Sequence, residues 1–253
     1  MRIVRFLVGR AAKYGVVEDD IVREIAGDIF RRFRGTRKTH SLKRIRFLTP
    51  TEPAKIVGVG LNYRDHVAEM GFDPRDEPVI FLKPRTAALP HRGKILYPKL
   101  SNRLDYEAEL AIVIGRYAKD VPSKRALRHV LGYTCFNDVT ARDLQRRDGQ
   151  WTRGKSFDTF APFGPWVETK LDPHNAPIRA YLNGEIKQSS TTANLIFDVP
   201  HVVSFVAAVM PLFPGDIIAT GTPSGVGPMK PGDTIDIEVE GIGRLRNTVT
   251  RRP

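Results

Sequence analysis

The sequence predicts an α+β protein dominated by β-structure. Three observations carry this expectation. Short β-branched runs such as "IVGVGL" and "PVIFL" are bounded by Gly and Pro, both ends of the chain alternate apolar with polar residues, and few segments have helical character.

Taken in order, "RIVRFLV" alternates, and "GVVEDDIVREIAG" sets acidic turn residues between two β-branched runs. Residues 1–49 therefore read as a small N-terminal β-rich unit containing a hairpin. "LTPTEPAK", with two prolines, reads as a linker into a larger unit spanning 50–253. Within that unit, Pro122 to Val130 and Pro200 to Val209 are the clearest helices. The second is expected to be capped by Asp198, with Pro200 in its first turn. "TIDIEVEGIGRLRNTV" is a hairpin bending at Gly241 and Gly243.

Composition narrows the function. The chain has 253 residues, 41% hydrophobic and 27% charged, enough to bury a full core. Its longest apolar run, near Val202 to Phe213, is interrupted by Ser204 and Pro211, so no membrane span is expected. "MRIVRFLVGR" is too short and too basic for a signal peptide, and the expected location is cytoplasmic. A single cysteine, Cys135, excludes an internal disulfide and reads as a packed thiol. Of the net charge of +12, residues 31 to 46 contribute eight Lys or Arg and no acid. Such a stretch can bind nucleic acid, but no zinc pattern, RNA-binding aromatic signature or helix-turn-helix accompanies it. A solvated or salt-bridged surface is the plainer reading, and no nucleic-acid partner is expected.

"RLDYEAELAIVIG" poses the sharpest question, because alternation puts Glu107 and Glu109 on one face of a strand. At about 7 Å and an effective dielectric near 20 they repel by ~2 kcal/mol. Taken alone, the strand favours a solvent-exposed end with both acids hydrated. A third acid, Asp138, follows another apolar run in "CFNDVTARDLQ", where a helix would present Arg142 and Gln145 on the same side. Three carboxylate oxygens at a strand pair suit a hard divalent cation.

In "GVGLNYRDHVAEMGF", Asn62 is a candidate N-cap for a helix over residues 63–70, on which His66 and Glu69 lie three apart. A carboxylate on one imidazole nitrogen raises the basicity of the other, as a general base for water requires. The same spacing also describes an exposed histidine beside a surface acid, which is the commoner case. "RGKSFDTFAPFGPW" offers Lys155 in a turn-rich segment. "FPGDIIATGTPSGVGP" runs a strand into a glycine-rich loop that lacks the Walker Lys but whose N–H groups can hold a carboxylate or oxyanion.

In this order, "NYRDHVAEMG", the stretch Pro78 to Leu89, "LDYEAELAIVIG", "GYTCFNDVTARDLQ", "RGKSFDTFAPFGPW", "LNGEIKQ" and "PGDIIATGTPSGVG" resemble the successive motifs of the fumarylacetoacetate hydrolase family. The resemblance covers roughly residues 50 to 250. It implies a mixed β-sandwich roll, a divalent ion (Mg²⁺ or Mn²⁺), a homodimer and a 2-oxo acid substrate. By motif position it assigns Glu107, Glu109 and Asp138 to the metal. It makes His66 with Glu69 the water-activating pair, Lys155 a further catalytic residue, and Arg142, Gln145 and Thr222 substrate contacts, with Lys83 lining the entrance. The animal fumarylacetoacetate enzyme carries a further metal-binding aspartate before its histidine, whereas residues 58–61 hold no acid. The smaller acylpyruvase-like members are therefore the closer comparison. The implied reaction is C–C hydrolysis of an acylpyruvate. Isomerisation of 2-hydroxyhepta-2,4-diene-1,7-dioate and decarboxylation of oxaloacetate are the alternatives, since both use the same kind of site.

Overall fold

The computed structural model describes residues 1–69, 71, 73 and 75–251. Met70, expected to close the helix after Asn62, lies outside the described residues.

Strands dominate, as the short apolar runs imply. Among the described residues the largest sheet has twelve strands, ten of which run, edge to edge, through Phe33–Ser41, Ile21–Gly27, Ala11–Glu18, Arg2–Val8, Ala161–Glu168, Val130–Asn137, Ala108–Ile114, Ile217–Ala219, Ile56–Gly60 and Val79–Lys83, while Arg46–Phe47 pairs with Arg2–Val8 and Ala88–Leu89 with Ala161–Glu168. A five-stranded sheet, built around Pro177–Leu182 and the expected hairpin Thr234–Val239 with Gly243–Arg251, packs across its central strands. Ala108–Ile114 is buried at every position, because one of its faces meets this second sheet while neighbouring strands flank it on both edges. That explains why its sequence past Glu109 is uninterrupted apolar. A three-stranded sheet of Leu104–Tyr106, Thr140–Ala141 and Gly227–Met229 stands beside the large one.

The N-terminal strands bury a small cluster of their own, Val4, Phe6, Val22, Ile45 and Phe47, yet the sheet is continuous. Arg2–Val8 pairs antiparallel with Ala161–Glu168. Most of the basic stretch forms the outer strand Phe33–Ser41, which pairs with Ile21–Gly27. Cations along an outer strand discourage further strand addition. "LTPTEPAK" is pinned rather than loose: Pro50, Thr51 and Pro53 are buried, and Ala54 and Lys55 donate backbone N–H groups to Asp216.

The helix Val199–Val209 begins as its sequence requires, with the Asp198 carboxylate accepting from His201 N–H at 2.9 Å. The other expected helix is shorter: Ser123–Ala126 passes into a 3₁₀ turn, Leu127–His129, before the strand starts at Val130. Among the described residues no helix is long and apolar enough to cross a membrane. Cys135 is buried against the Gly243 carbonyl, and burial pushes its thiol up to about 12, so the packed-thiol expectation fits.

Candidate metal centre and active site

The two glutamates are buried, against the reading of the strand alone. Glu107 sits where the chain leaves the three-stranded sheet, between Leu104–Tyr106 and Ala108–Ile114, and crosses into the large one. Its backbone is fixed on both sides, N–H to the Asn137 side chain at 3.0 Å and carbonyl to Asp138 N–H at 2.9 Å. Glu107, Glu109 and Asp138 are 6, 2 and 1% exposed, and one carboxylate oxygen from each lies within 4.8 Å of the others. The solvated-end expectation fails because the chain supplies counter-charges from distant segments.

Those counter-charges are Lys155, Lys83 and Arg142. The Lys155 ammonium bridges Glu107 Oε2 at 3.0 Å and Asp138 Oδ2 at 2.6 Å. Lys83 donates to Asp138 Oδ1 and, at 3.1 Å, to the Val139 carbonyl. It is 1% exposed and lies behind the carboxylates, so the expectation that it lines the entrance is corrected. The end of the strand Val79–Lys83 aims the amine inward, and a buried amine needs an anion. Burial pulls the Lys83 amine below its ordinary value despite Asp138, whereas Lys155, facing both Asp138 and Glu107, is raised against the same burial.

Arg142 opens the helix Arg142–Asp148 and divides its guanidinium three ways, to Asp105 at 2.9 Å, to Gln145 at 2.6 Å and to Glu107. Burial alone would raise the Glu107 carboxyl, but Lys155 and Arg142 hold it well below the ordinary range. Glu109 has no such cation. Burial, with Asp138 and Glu107 adding repulsion, raises it well above its ordinary value, and its partner is the Gly221 N–H at 2.8 Å. The glycine-rich loop thus holds a carboxylate of the protein itself. Gly221 has φ +99°, and a Cβ there would come within 2.9 Å of Asn62 Cβ.

A cavity of about 280 Å³ brings together His66, Glu107, Glu109, Asp138, Arg142, Gln145, Lys155 and Thr222. Glu69 stands behind His66, one carboxylate oxygen 3.3 Å from its Nδ1, and both of its oxygens face the Gly225 N–H at 3.3 Å. The carboxylate therefore ties the short helix Arg64–Glu69 to the glycine-rich loop.

Asn62 is no N-cap. It is fully buried, accepts from Phe197 N–H at 2.8 Å and donates to the Thr220 carbonyl at 2.8 Å and the Phe197 carbonyl at 3.1 Å, joining three segments around the site. Asn62→Ala should cost about 3 kcal/mol and lower the melting temperature by roughly 6–12 °C, because buried backbone groups lose their partners. A melt within about 2 °C of the parent protein would show the strap to be dispensable.

Sequence reasoning missed Asp105, fully buried and clamped by Arg103 and Arg142 at 2.9 Å each. It also missed Gln188, which accepts from Ala108 N–H and donates to Thr222 Oγ1, both at 2.9 Å. Both lie in stretches quoted for the resemblance, "LDYE" and "LNGEIKQ", and that placement was the available signal. Phe81 and Trp151, with ring centroids 5.3 Å apart, form the apolar wall.

Three acidic oxygens at this spacing, one of them from a carboxyl that resists ionisation without a nearby cation, fit a divalent metal ion. Stacked β-sheets that enclose such a triad beside an imidazole and a buried lysine define an enzyme with a candidate metal centre. The chain belongs to the fumarylacetoacetate hydrolase family: residues 55–250 match the model for the fumarylacetoacetate (FAA) hydrolase C-terminal domain, and residues 1–50 match the Rv2993c-like N-terminal model. It is similar to the 5-carboxymethyl-2-hydroxymuconate delta-isomerase of Mycobacterium smegmatis (45% identity, TM-score 0.94, all of both chains). The mitochondrial oxaloacetate tautomerase FAHD2A of Bos taurus is 42% identical over 81% of this chain and 69% of its own. The fumarylpyruvate hydrolase of Pseudomonas aeruginosa, solved with Mn²⁺ and pyruvate, is 36% identical with a TM-score of 0.76, over 80% of this chain and 91% of that one.

Proposed function

We propose that the protein hydrolyses a C–C bond of an acylpyruvate-type 2,4-dioxo acid with the help of Mg²⁺ or Mn²⁺. The observation that carries this reading is His66, whose Nδ1 faces Glu69 at 3.3 Å while its ring lines the same cavity as the acid triad. Glu107, Glu109 and Asp138 would hold the ion, which when bound supplies a Lewis acid for the 1-carboxylate and 2-oxo oxygens. Glu69 keeps the proton on Nδ1, leaving Nε2 to take one from water. Lys155 places positive charge beside the oxygens that become anionic. Thr222, whose Oγ1 accepts from Gln188, keeps its hydroxyl proton for a substrate oxygen. Arg142 and Gln145 line the path of the chain.

The full-length likeness to a muconate isomerase supports a second reading, in which His66 helps move the enol proton of a 2-hydroxydiene to a carbon of the same molecule, forming the 2-oxo group, instead of taking a proton from water. Purified protein with Mg²⁺ offered acetylpyruvate, fumarylpyruvate, oxaloacetate and 2-hydroxyhepta-2,4-diene-1,7-dioate separates the readings. Hydrolysis yields pyruvate plus a carboxylic acid, decarboxylation yields pyruvate plus CO₂, and isomerisation shifts the diene absorption with no fragment released. Pyruvate with a carboxylic acid is expected. A moving diene band with no cleavage of any acylpyruvate would replace hydrolysis by isomerisation. His66→Ala should lower turnover by about 10²-fold while sparing Mg²⁺ binding, and full activity would discard its role as base. A homodimer belongs to the same proposal on the strength of the family resemblance, and a monomer in light scattering would remove it.

A further inference from the structure

The cations around the acid triad are spent. Lys155 and Lys83 are held by the triad, and Arg142 is divided among Asp105, Glu107 and Gln145. Asp105, Glu107 and Asp138 are thus held by Lys83, Arg103, Arg142 and Lys155, and with Glu109, which touches none of these cations, the four acids and four cations cancel in formal charge. Among the described residues one further Lys or Arg lines the cavity, Arg146. It lies on the helix Arg142–Asp148, four residues beyond Arg142, so helical spacing sets it over the same face.

Arg146 differs from the others in two respects. It is exposed while the triad is buried, which places it at the solvent-side rim. Among the described residues it also has no hydrogen bond or ion pair, because the acids of its own helix are engaged elsewhere: Asp143 accepts from Ser101 and Asn102, and Asp148 from Arg153. The apolar part of the lining is Phe81 and Trp151, packed edge to face. Arg146 lies a rise of about 6 Å along the helix axis beyond Arg142, so it stands away from the triad end of the cavity.

We propose that Arg146 is the specificity-determining cation of the cavity and selects 2-oxo acids that carry a second carboxylate at the far end of a short carbon chain. This rests on the reading of the cavity as a 2-oxo acid site and names the class of substrate within it. The charge balance favours the same class. With the protein charges matched, a divalent ion and Arg146 leave positive charge that one carboxylate does not neutralise and a second one reduces further.

The test compares two acids with the same six-carbon backbone, 2-oxohexanoate and 2-oxoadipate, by calorimetry with Mg²⁺ present. The diacid should bind about five- to tenfold tighter, the range for an Arg–carboxylate contact partly open to water. The preference should shrink as salt is raised. Arg146→Gln should abolish it, and Arg146→Lys should retain part, since a point charge remains but the paired donors do not. In parallel, the ratio of kcat/KM for fumarylpyruvate to that for acetylpyruvate should fall by a similar factor in Arg146→Gln. Equal affinity for the two acids, or a preference untouched by Arg146→Gln, would overturn the inference, as would failure of both acids to bind. The outcomes also separate this inference from hydrolysis. An Arg146-dependent diacid preference without cleavage of any acylpyruvate keeps the inference and removes hydrolysis. Cleavage of both acylpyruvates with no such preference does the reverse.

Discussion

Glu109→Gln is expected to leave the metal-free protein as stable as the parent or more so, while abolishing its stabilisation by Mg²⁺ and lowering turnover by at least ~10³-fold. The three acids of the triad are not equivalent. Glu107 and Asp138 each touch two cations, whereas Glu109 has one backbone N–H and two repelling neighbours. Replacing it removes a buried carboxyl whose charged form no cation touches, and Gln keeps an oxygen to accept from Gly221. Neutralising Glu107 or Asp138 instead strips buried cations of their anion, and Glu107→Gln and Asp138→Asn should each cost the metal-free fold about 3–5 kcal/mol.

All three variants should lose the Mg²⁺ effect, which in the parent is expected to be about 2.7 kcal/mol at a hundredfold excess over Kd. The sign with pH is also fixed. Because folding raises the Glu109 carboxyl above its ordinary 4.5, the metal-free parent takes up a proton on folding and loses stability as pH rises from there toward the folded-state value. Glu109→Gln lacks that loss, so its margin over the parent should widen across the same rise. Melting curves with EDTA and with Mg²⁺ at several pH values test this. A retained Mg²⁺ shift in Glu109→Gln would remove this residue from the metal centre.

These contrasts show where the sequence was legible. The β-rich class, the terminal hairpin and the Asp198 cap follow from short-range pattern, and the structure has all three. The triad was legible through the resemblance, because residues 107, 109 and 138 keep their motif spacing. The burial of Glu107 and Glu109 was not, since it depends on Lys83, Arg142 and Lys155 arriving from other segments, and a strand read alone carries no record of its partners. Asn62 failed for the same reason. An Asn before a helix is a local capping signal, but the contacts with Phe197 and Thr220 reach more than a hundred residues away and claim both ends of the amide. The entrance role that the resemblance gives Lys83 does not hold, and nothing in "FLKP" tells which way the amine turns.

Lys155→Met is expected to act in opposite directions on the metal-free fold and on the bound cation. Its ammonium bridges Glu107 and Asp138 and lies 5.1 Å from the centre of the Phe81 ring, so one charge serves two carboxylates in a nearly dry setting. Methionine preserves the stem against Phe81 and removes the charge, which isolates the electrostatic part. Two carboxylates about 4 Å apart repel by roughly 4 kcal/mol at an effective dielectric of 20. Lys83 and Arg142 offset part of that, so the metal-free variant should lose about 3 kcal/mol. Mg²⁺ should then bind more tightly than to the parent, because the ammonium no longer competes for the same oxygens. Turnover should nevertheless fall about 10²- to 10³-fold, because the positive charge beside the developing oxyanion is gone and a tighter ion does not replace it. Calorimetric Mg²⁺ titration, melting in EDTA and kcat together check the argument. If Lys155→Met melted like the parent in EDTA, this lysine would not be what holds the two acids together. If Mg²⁺ bound more weakly, it would be a support for the metal centre and not its competitor.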